Sequence, residues 1–325
     1  MNARRNQIIN FLKQVWLYVK PYCRWLILGG TLFFLIKAFK DHWQEVAAIR
    51  IDGVGWATLA IALGITLLAH IWSGWVWTWI LDELNQPVTD AQFIQVYLKT
   101  NIAKYLPGNV WHYYGRIAAA KTAGVPVGVA TISVLLEPLL MAAAALMVAL
   151  IGIQPTTLNI TLQGLPLLGL AIVLIVVHPR FLNKVIRFVG KIKLKATNSS
   201  TANDQTFQLV RYPLRPLLGE LGFIGLRGTG FLLTMFAFKP LELSQIPLLL
   251  GAFSLAWLLG LVVPGAPGGL GIFEATAIAL LQQRFSGGLV ISAIAFYRII
   301  SILAEAAGAG LAWLDEQRCP TSADQ

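Results

Sequence analysis

Charge is what this sequence has least of. Only 12% of its 325 residues are charged, where soluble domains carry about a quarter. Acidic residues are scarcer than basic ones, 15 against 25, which leaves a net charge of +10. Two cysteines, Cys23 and Cys319, sit near opposite ends and form neither a disulfide framework nor a metal-type spacing. The histidines His42, His70, His112 and His178 are scattered, and no His/Cys/carboxylate cluster suggests a metal. No phosphate-loop lysine follows a glycine-rich turn, and no Ser/His/Asp or Cys/His set stands out. These absences predict no cofactor and argue against catalysis.

What is present in quantity is apolar. Hydrophobic residues make up 57% of the chain and the mean hydropathy is +0.68. The reading is an all-α polytopic membrane protein. Its basic residues flank apolar runs, as the positive-inside rule and anionic lipid surfaces require, so nucleic acid is not an expected partner.

Taken in order, residues 1–22 are a basic segment with the apolar spacing of a surface helix, expected to be uncleaved. Spans are predicted at 23–38, 54–81, 127–153 and 162–177, forming a first membrane half over 23–177. The end of the second span carries Trp72, Trp75 and Trp79 on one helical face, read as an interfacial belt or as a wall for headgroups. A basic linker over 178–216 holds Arg180, Lys184, Arg187, Lys191, Lys193, Lys195, Arg211 and Arg215 against Asp204, and fixes a cytoplasmic loop. A second half, 217–313, holds spans at 217–238 and 289–313 and two apolar arms, 246–263 and 268–281. The tail is 314–325, and both termini are predicted in the cytoplasm.

Two stretches break the pattern. Residues 104–116 read KYLPGNVWHYYGR and residues 264–274 read PGAPGGLGIFE. Proline removes a backbone donor and glycine permits a sharp turn, so each marks a hairpin rather than a continuous helix. The first is read as re-entrant from the cytoplasmic side or as a set of surface helices. Non-helical backbone at membrane depth is tolerated only where protein or water surrounds it. Charge counting puts the two breaks on opposite sides, which gives about six spans and two broken hairpins in an inverted repeat.

Glu137, Glu220, Arg227, Glu274, Arg298 and Glu305 fall inside apolar segments. Each central charge costs roughly 3 kcal/mol on insertion scales, so six unpaired ones approach roughly 15–20 kcal/mol. They must pair, face water or snorkel, and Glu220 is shallow enough to snorkel. Arg227 and Glu305 are predicted to meet in a polar seam between the fifth and last spans. Gly265, Gly268, Gly269 and Gly271 are read as backbone that turns N–H groups toward an anion at the start of the helix carrying Glu274.

At these residues the chain resembles the lysylphosphatidylglycerol synthase transmembrane region, a flippase-like family. The resemblance rests on residues 104–111 with Gly115 and Arg116, on residues 133–137 (SVLLE), on residues 264–274, and on Tyr297 with Arg298. It implies an inner-membrane bundle that moves lipids between leaflets. The chain stops about a dozen residues after Trp313, so the soluble synthase domain of bifunctional members is not expected, nor is aminoacyl transfer. The expected function is translocation of a phospholipid or lipid-linked headgroup through a polar groove. The alternative is a membrane-embedded lipid-modifying enzyme or its non-catalytic partner. Candidate substrate-binding residues are Pro107, Gly108, Asn109, Trp111, Arg116, Glu137, Arg227, Pro264, Gly265, Gly268, Gly269, Gly271, Glu274, Arg298 and Glu305. The expected partners are membrane lipids, anionic or headgroup-modified, with a membrane enzyme as a further partner. Arg116 and Arg298 are assigned to phosphate, Glu137 and Glu274 to charge balance or a cationic headgroup.

Overall fold

The computed structural model describes residues 33, 36–106, 110–152, 160–181, 183–184, 211–263 and 267–318. The predicted segments 1–22, most of 23–38 and the centre of the linker lie outside them, as do Pro107, Gly108, Asn109, Pro264 and Gly265. The described residues are helical, without a strand.

A short helix, α1 (Trp43–Ala48), leads to α2 (Gly53–Glu83), which opens on an Asp52 N-cap that accepts from the Gly55 amide at 2.7 Å. Then come α3 (Asp90–Asn101), a tight turn at Ile102–Tyr105, and α4 (Trp111–Thr122). The long α5 (Val127–Gly152) and α6 (Ile160–Val177) close the first half. The second half repeats the order: α7 (Leu214–Phe238), α8 (Ile246–Val262), a turn at Pro267–Gly269, α9 (Ile272–Leu281) and α10 (Gly287–Arg318).

Among the described residues, five helices are long and apolar enough to cross a membrane: α2, α5, α7, the run Leu243–Val262 containing α8, and α10. The first arm of the second break is thus of spanning length, while its second arm, α9, has only 10 residues. The tail predicted from 314 begins inside α10, which continues to Arg318.

Packing follows the repeated order. The longest interface is α2 against α7, the first helix of each half. Small residues bring them together: a Cβ on Gly219 would lie 2.6 Å from Val76 Cγ2, and one on Gly230 2.6 Å from Thr66 Oγ1. The span after each break packs on the first arm of the other half, α5 on α8 and α10 on α3. The two turns also meet, with the Tyr105 ring against Gly268. The core between them holds Phe231, Phe253, Phe273 and Tyr297 in edge-to-face and stacked contacts.

Candidate polar cavity between the two breaks

Helical periodicity delivers polar side chains to one interior. On α2, His70, Ser73 and Trp77 share the buried face. On α3, Phe93, Tyr97 and Asn101 recur at four-residue spacing. Ser133 and Glu137 do so on α5, and Ser301 and Glu305 on α10. Pro138 follows Glu137 inside α5 and withholds one backbone donor beside the cavity.

Three charge clusters result. In the first, Arg116 Nη1 is 2.6 Å from Glu137 Oε2, and both side chains are buried. The Tyr97 hydroxyl donates to Glu137 Oε1 at 2.7 Å and lies 2.7 Å from Ser73 Oγ. Tyr97 spends its proton on Glu137, so Ser73 donates to Tyr97. The guanidinium also lies 3.6 Å from the Tyr97 ring centroid, a desolvated cation–π contact.

The second cluster mirrors the first with the charges exchanged. Arg116 sits on the second arm of its hairpin and Glu137 on the next span; Glu274 sits on the second arm of the other hairpin and Arg298 on the next span. Arg298 Nε donates to Glu274 Oε1, and its Nη1 donates to the Gly268 carbonyl at 3.2 Å. Glu274 Oε2 accepts from the Gly271 amide at 2.7 Å. The Gly271 amide is therefore taken by Glu274, which caps its own helix. Gly268, Gly269 and Gly271 have positive φ (58°, 73° and 86°), which side chains rarely adopt.

The third cluster differs from the predicted seam. Glu305 Oε1 takes Lys104 Nζ at 2.7 Å and lies 3.4 Å from His70 Nε2. Arg227 Nη1 lies 3.3 Å from that same His70 nitrogen. Arg227 and Glu305 are thus joined through α2 rather than directly, because His70 stands between α7 and α10. Among the described residues, no carboxylate lies within ion-pair distance of Arg227, whereas Lys104, Arg116 and Arg298 each hold one. Glu220, predicted to snorkel, is instead fully buried with neither oxygen hydrogen-bonded among the described residues. It lies on the face of α7 that also carries the buried Phe223, Ile224 and Arg227.

Two adjoining cavities, of about 110 and 100 Å³, run between these clusters. They share Lys104, His112, Tyr113, Arg227, Trp257 and Leu261. Of the predicted residues, Arg227, Gly268, Gly269, Arg298 and Glu305 line the larger cavity, and Arg116, Glu137 and Arg227 the smaller. Gly271 and Glu274 face an apolar groove on the far side of Arg298 instead. Trp111 is half exposed and lines neither cavity. Lys104, His70, Tyr97 and His112 line the cavities without being among the predicted site residues. The available signal was His70, a titratable group inside an otherwise apolar span. Trp72, Trp75 and Trp79 pack edge to face beside the α2–α7 interface, with Trp72 Nε1 donating to the Gly219 carbonyl at 2.7 Å.

A family model described as the lysylphosphatidylglycerol synthase TM region matches residues 24–308. No curated protein matches the chain.

Proposed function

The chain belongs to the lysylphosphatidylglycerol synthase TM region family, and from that premise we propose that it moves a phospholipid, or another lipid-linked headgroup, between leaflets through the polar cavity. The observation that carries this reading is the charge count around it. Among the described residues, Lys104, Arg116 and Arg298 are each matched by a glutamate, and Arg227 is not. With His70 neutral the cavity holds one surplus positive charge, which suits the single negative charge of a phosphodiester. Arg227, rather than Arg116 or Arg298, is then the phosphate contact, because the other two are already engaged. Lys104 and His112 line the same space and contribute donors. Acyl tails stay in the bilayer, and no bond in the lipid is made or broken.

The proposed architecture is the inverted repeat: α2, broken hairpin α3–α4 and α5, then α7, broken hairpin α8–α9 and α10. Equivalent helices make equivalent contacts in the two halves. α6 is the long helix between them among the described residues, and a single crossing by α6 inverts the second unit relative to the first. Binding sites in such folds lie where the broken segments meet, and here Tyr105 meets Gly268. The basic segment 178–216 then lies on the cytoplasmic side of the cell membrane, with both termini.

The test is leaflet exchange of labelled phospholipids in proteoliposomes. Exchange of an anionic lipid is expected for the native chain and lost in Arg227→Gln, with folding retained. Absence of exchange for anionic, zwitterionic and cationic lipids alike overturns the proposal. Labelled lipid incubated with the protein in detergent should come back unchanged; a modified product points to the enzyme reading instead.

A further inference from the structure

One buried acid has no part in the cavity. Glu220 is 0% exposed, and among the described residues no donor reaches either carboxylate oxygen. Its charged neighbours are Glu137 on α5 and Arg116 on α4, with the Tyr97 hydroxyl on α3. Arg116 is already committed to Glu137 at 2.6 Å. The other helices packed on α7 bring no partner. α2 gives His70 to Arg227 and Asp82 to Arg215. α8 has no ionisable residue. The ionisable groups of α10 in the interior, Tyr297, Arg298 and Glu305, gather round the larger cavity. One guanidinium therefore serves two acids, and the packing has room for one carboxylate charge.

An ionised carboxylate without a partner is not stable in a dry interior; it takes up a proton. The packed arrangement of α7 against α2 and α5 thus forms only with Glu220 neutral. Any rearrangement that wets this interface lets the proton go.

We propose that Glu220 is a proton-carrying carboxyl that binds one proton when the helices close as here and releases it to water when they part, coupling headgroup movement to a proton. The coupling half rests on the translocation reading above; the proton site itself does not. The step is a bare proton exchange between Glu220 and water, with no other bond changed. Phe223, one turn from Glu220, lines the smaller cavity, so separation of α7 from α5 wets the acid and the headgroup path together.

Two measurements test it. Infrared difference spectroscopy of the solubilised native chain at neutral pH should show a protonated-carboxyl band that disappears in Glu220→Gln. Its absence overturns the proton site, whatever the protein transports. In proteoliposomes, an imposed pH gradient should change the rate of anionic-lipid exchange several-fold, and collapsing the gradient should remove the change. Glu220→Gln should abolish that response while gradient-free exchange continues. Glu220→Asp, which keeps a titratable group, should restore it. A band present with no gradient response overturns the coupling. No exchange in any liposome removes the translocation reading and the coupling with it, while the band still decides the proton site.

Discussion

Glu137 is held by two neighbours, Tyr97 and Arg116, and Arg116 by one carboxylate, so the two ends of this pair are not equally exposed to mutation. Replacing Glu137 with Gln leaves a guanidinium buried against Tyr97 with no ion-paired carboxylate. Removing one partner of a buried pair costs about 3–5 kcal/mol, while replacing both with apolar groups of similar volume is often neutral. Thermal unfolding in detergent should therefore show Glu137→Gln much less stable than the native chain. The double variant Arg116→Met with Glu137→Leu should recover most of the loss; equal loss in both means that the charge pair does not set stability. The same residues show what the sequence discloses. Six charges inside apolar runs are visible because their cost in lipid is large and local. Their partners are not visible, since whether Arg227 meets Glu305 or His70 depends on which helix lies between them. Lys104 opens the first break in sequence, but its partner Glu305 on α10, 201 residues away, is visible only in the fold.

At the level of elements, close backbone approach fixes the fold. A Cβ on Gly152 at the end of α5 would stand 2.1 Å from the Pro247 carbonyl oxygen and 2.7 Å from Gly251 Cα. Backbone on α8 cannot yield as a flexible side chain can, so Gly152→Ala should lower stability by about 1–3 kcal/mol. Gly128, near the start of the same helix, has nothing within 4 Å of its added Cβ. Gly128→Ala should change stability by less than about 1 kcal/mol. Equal effects at the two positions rule out the α5–α8 contact as the cause. A second junction depends on charge. Glu45 of α1 accepts from the Gly288 amide at 2.8 Å and pairs with His42 at 3.0 Å. The His42 hydrogen bond and the Gly288 amide hold the Glu45 carboxyl below its ordinary range. The folded-state value is depressed, so the clip is fully present above the ordinary carboxylate range and is lost as pH falls through the lowered value. Amide exchange at Gly288 should be slow at neutral pH, and Glu45→Gln should accelerate it at that same pH without acidification. These ends and breaks were legible because Pro, Gly and cap residues punctuate helices locally. The spanning length of α8 was not read as a crossing, because the Pro-Gly motif drew it into a hairpin.

The whole molecule turns on the relation between its halves. Opposite signs at matching places, Arg116 to Glu137 and Glu274 to Arg298, give each hairpin one neutral pair joining it to the next span. Such a pair lets a hairpin at membrane depth shed its charge cost without water. If α6 crosses once, the two hairpins enter from opposite faces, and their bases lie on opposite sides while their tips meet at Tyr105 and Gly268. The contacts at the ends of α10 agree with this. Its start meets α1 at Glu45, whereas its far end meets α3, with Asp315 bonded to Gln95 and Glu316 to Lys99 at 2.8 Å. The 32 residues of α10 span about 48 Å at 1.5 Å each, enough to carry it through the bilayer with both ends outside the hydrocarbon. Ala123, at the base of the first hairpin, and Gln283, at the base of the second, are both exposed. With Cys23 and Cys319 replaced by serine, Ala123→Cys and Gln283→Cys should react with a membrane-impermeant maleimide from opposite sides. Arg211→Cys, in the basic segment, should share the side of Ala123. Labelling of Ala123→Cys and Gln283→Cys from one side sinks the inverted repeat. It also separates that architecture from the cavity, because among the described residues Arg227 has no carboxylate partner whichever way the halves are turned.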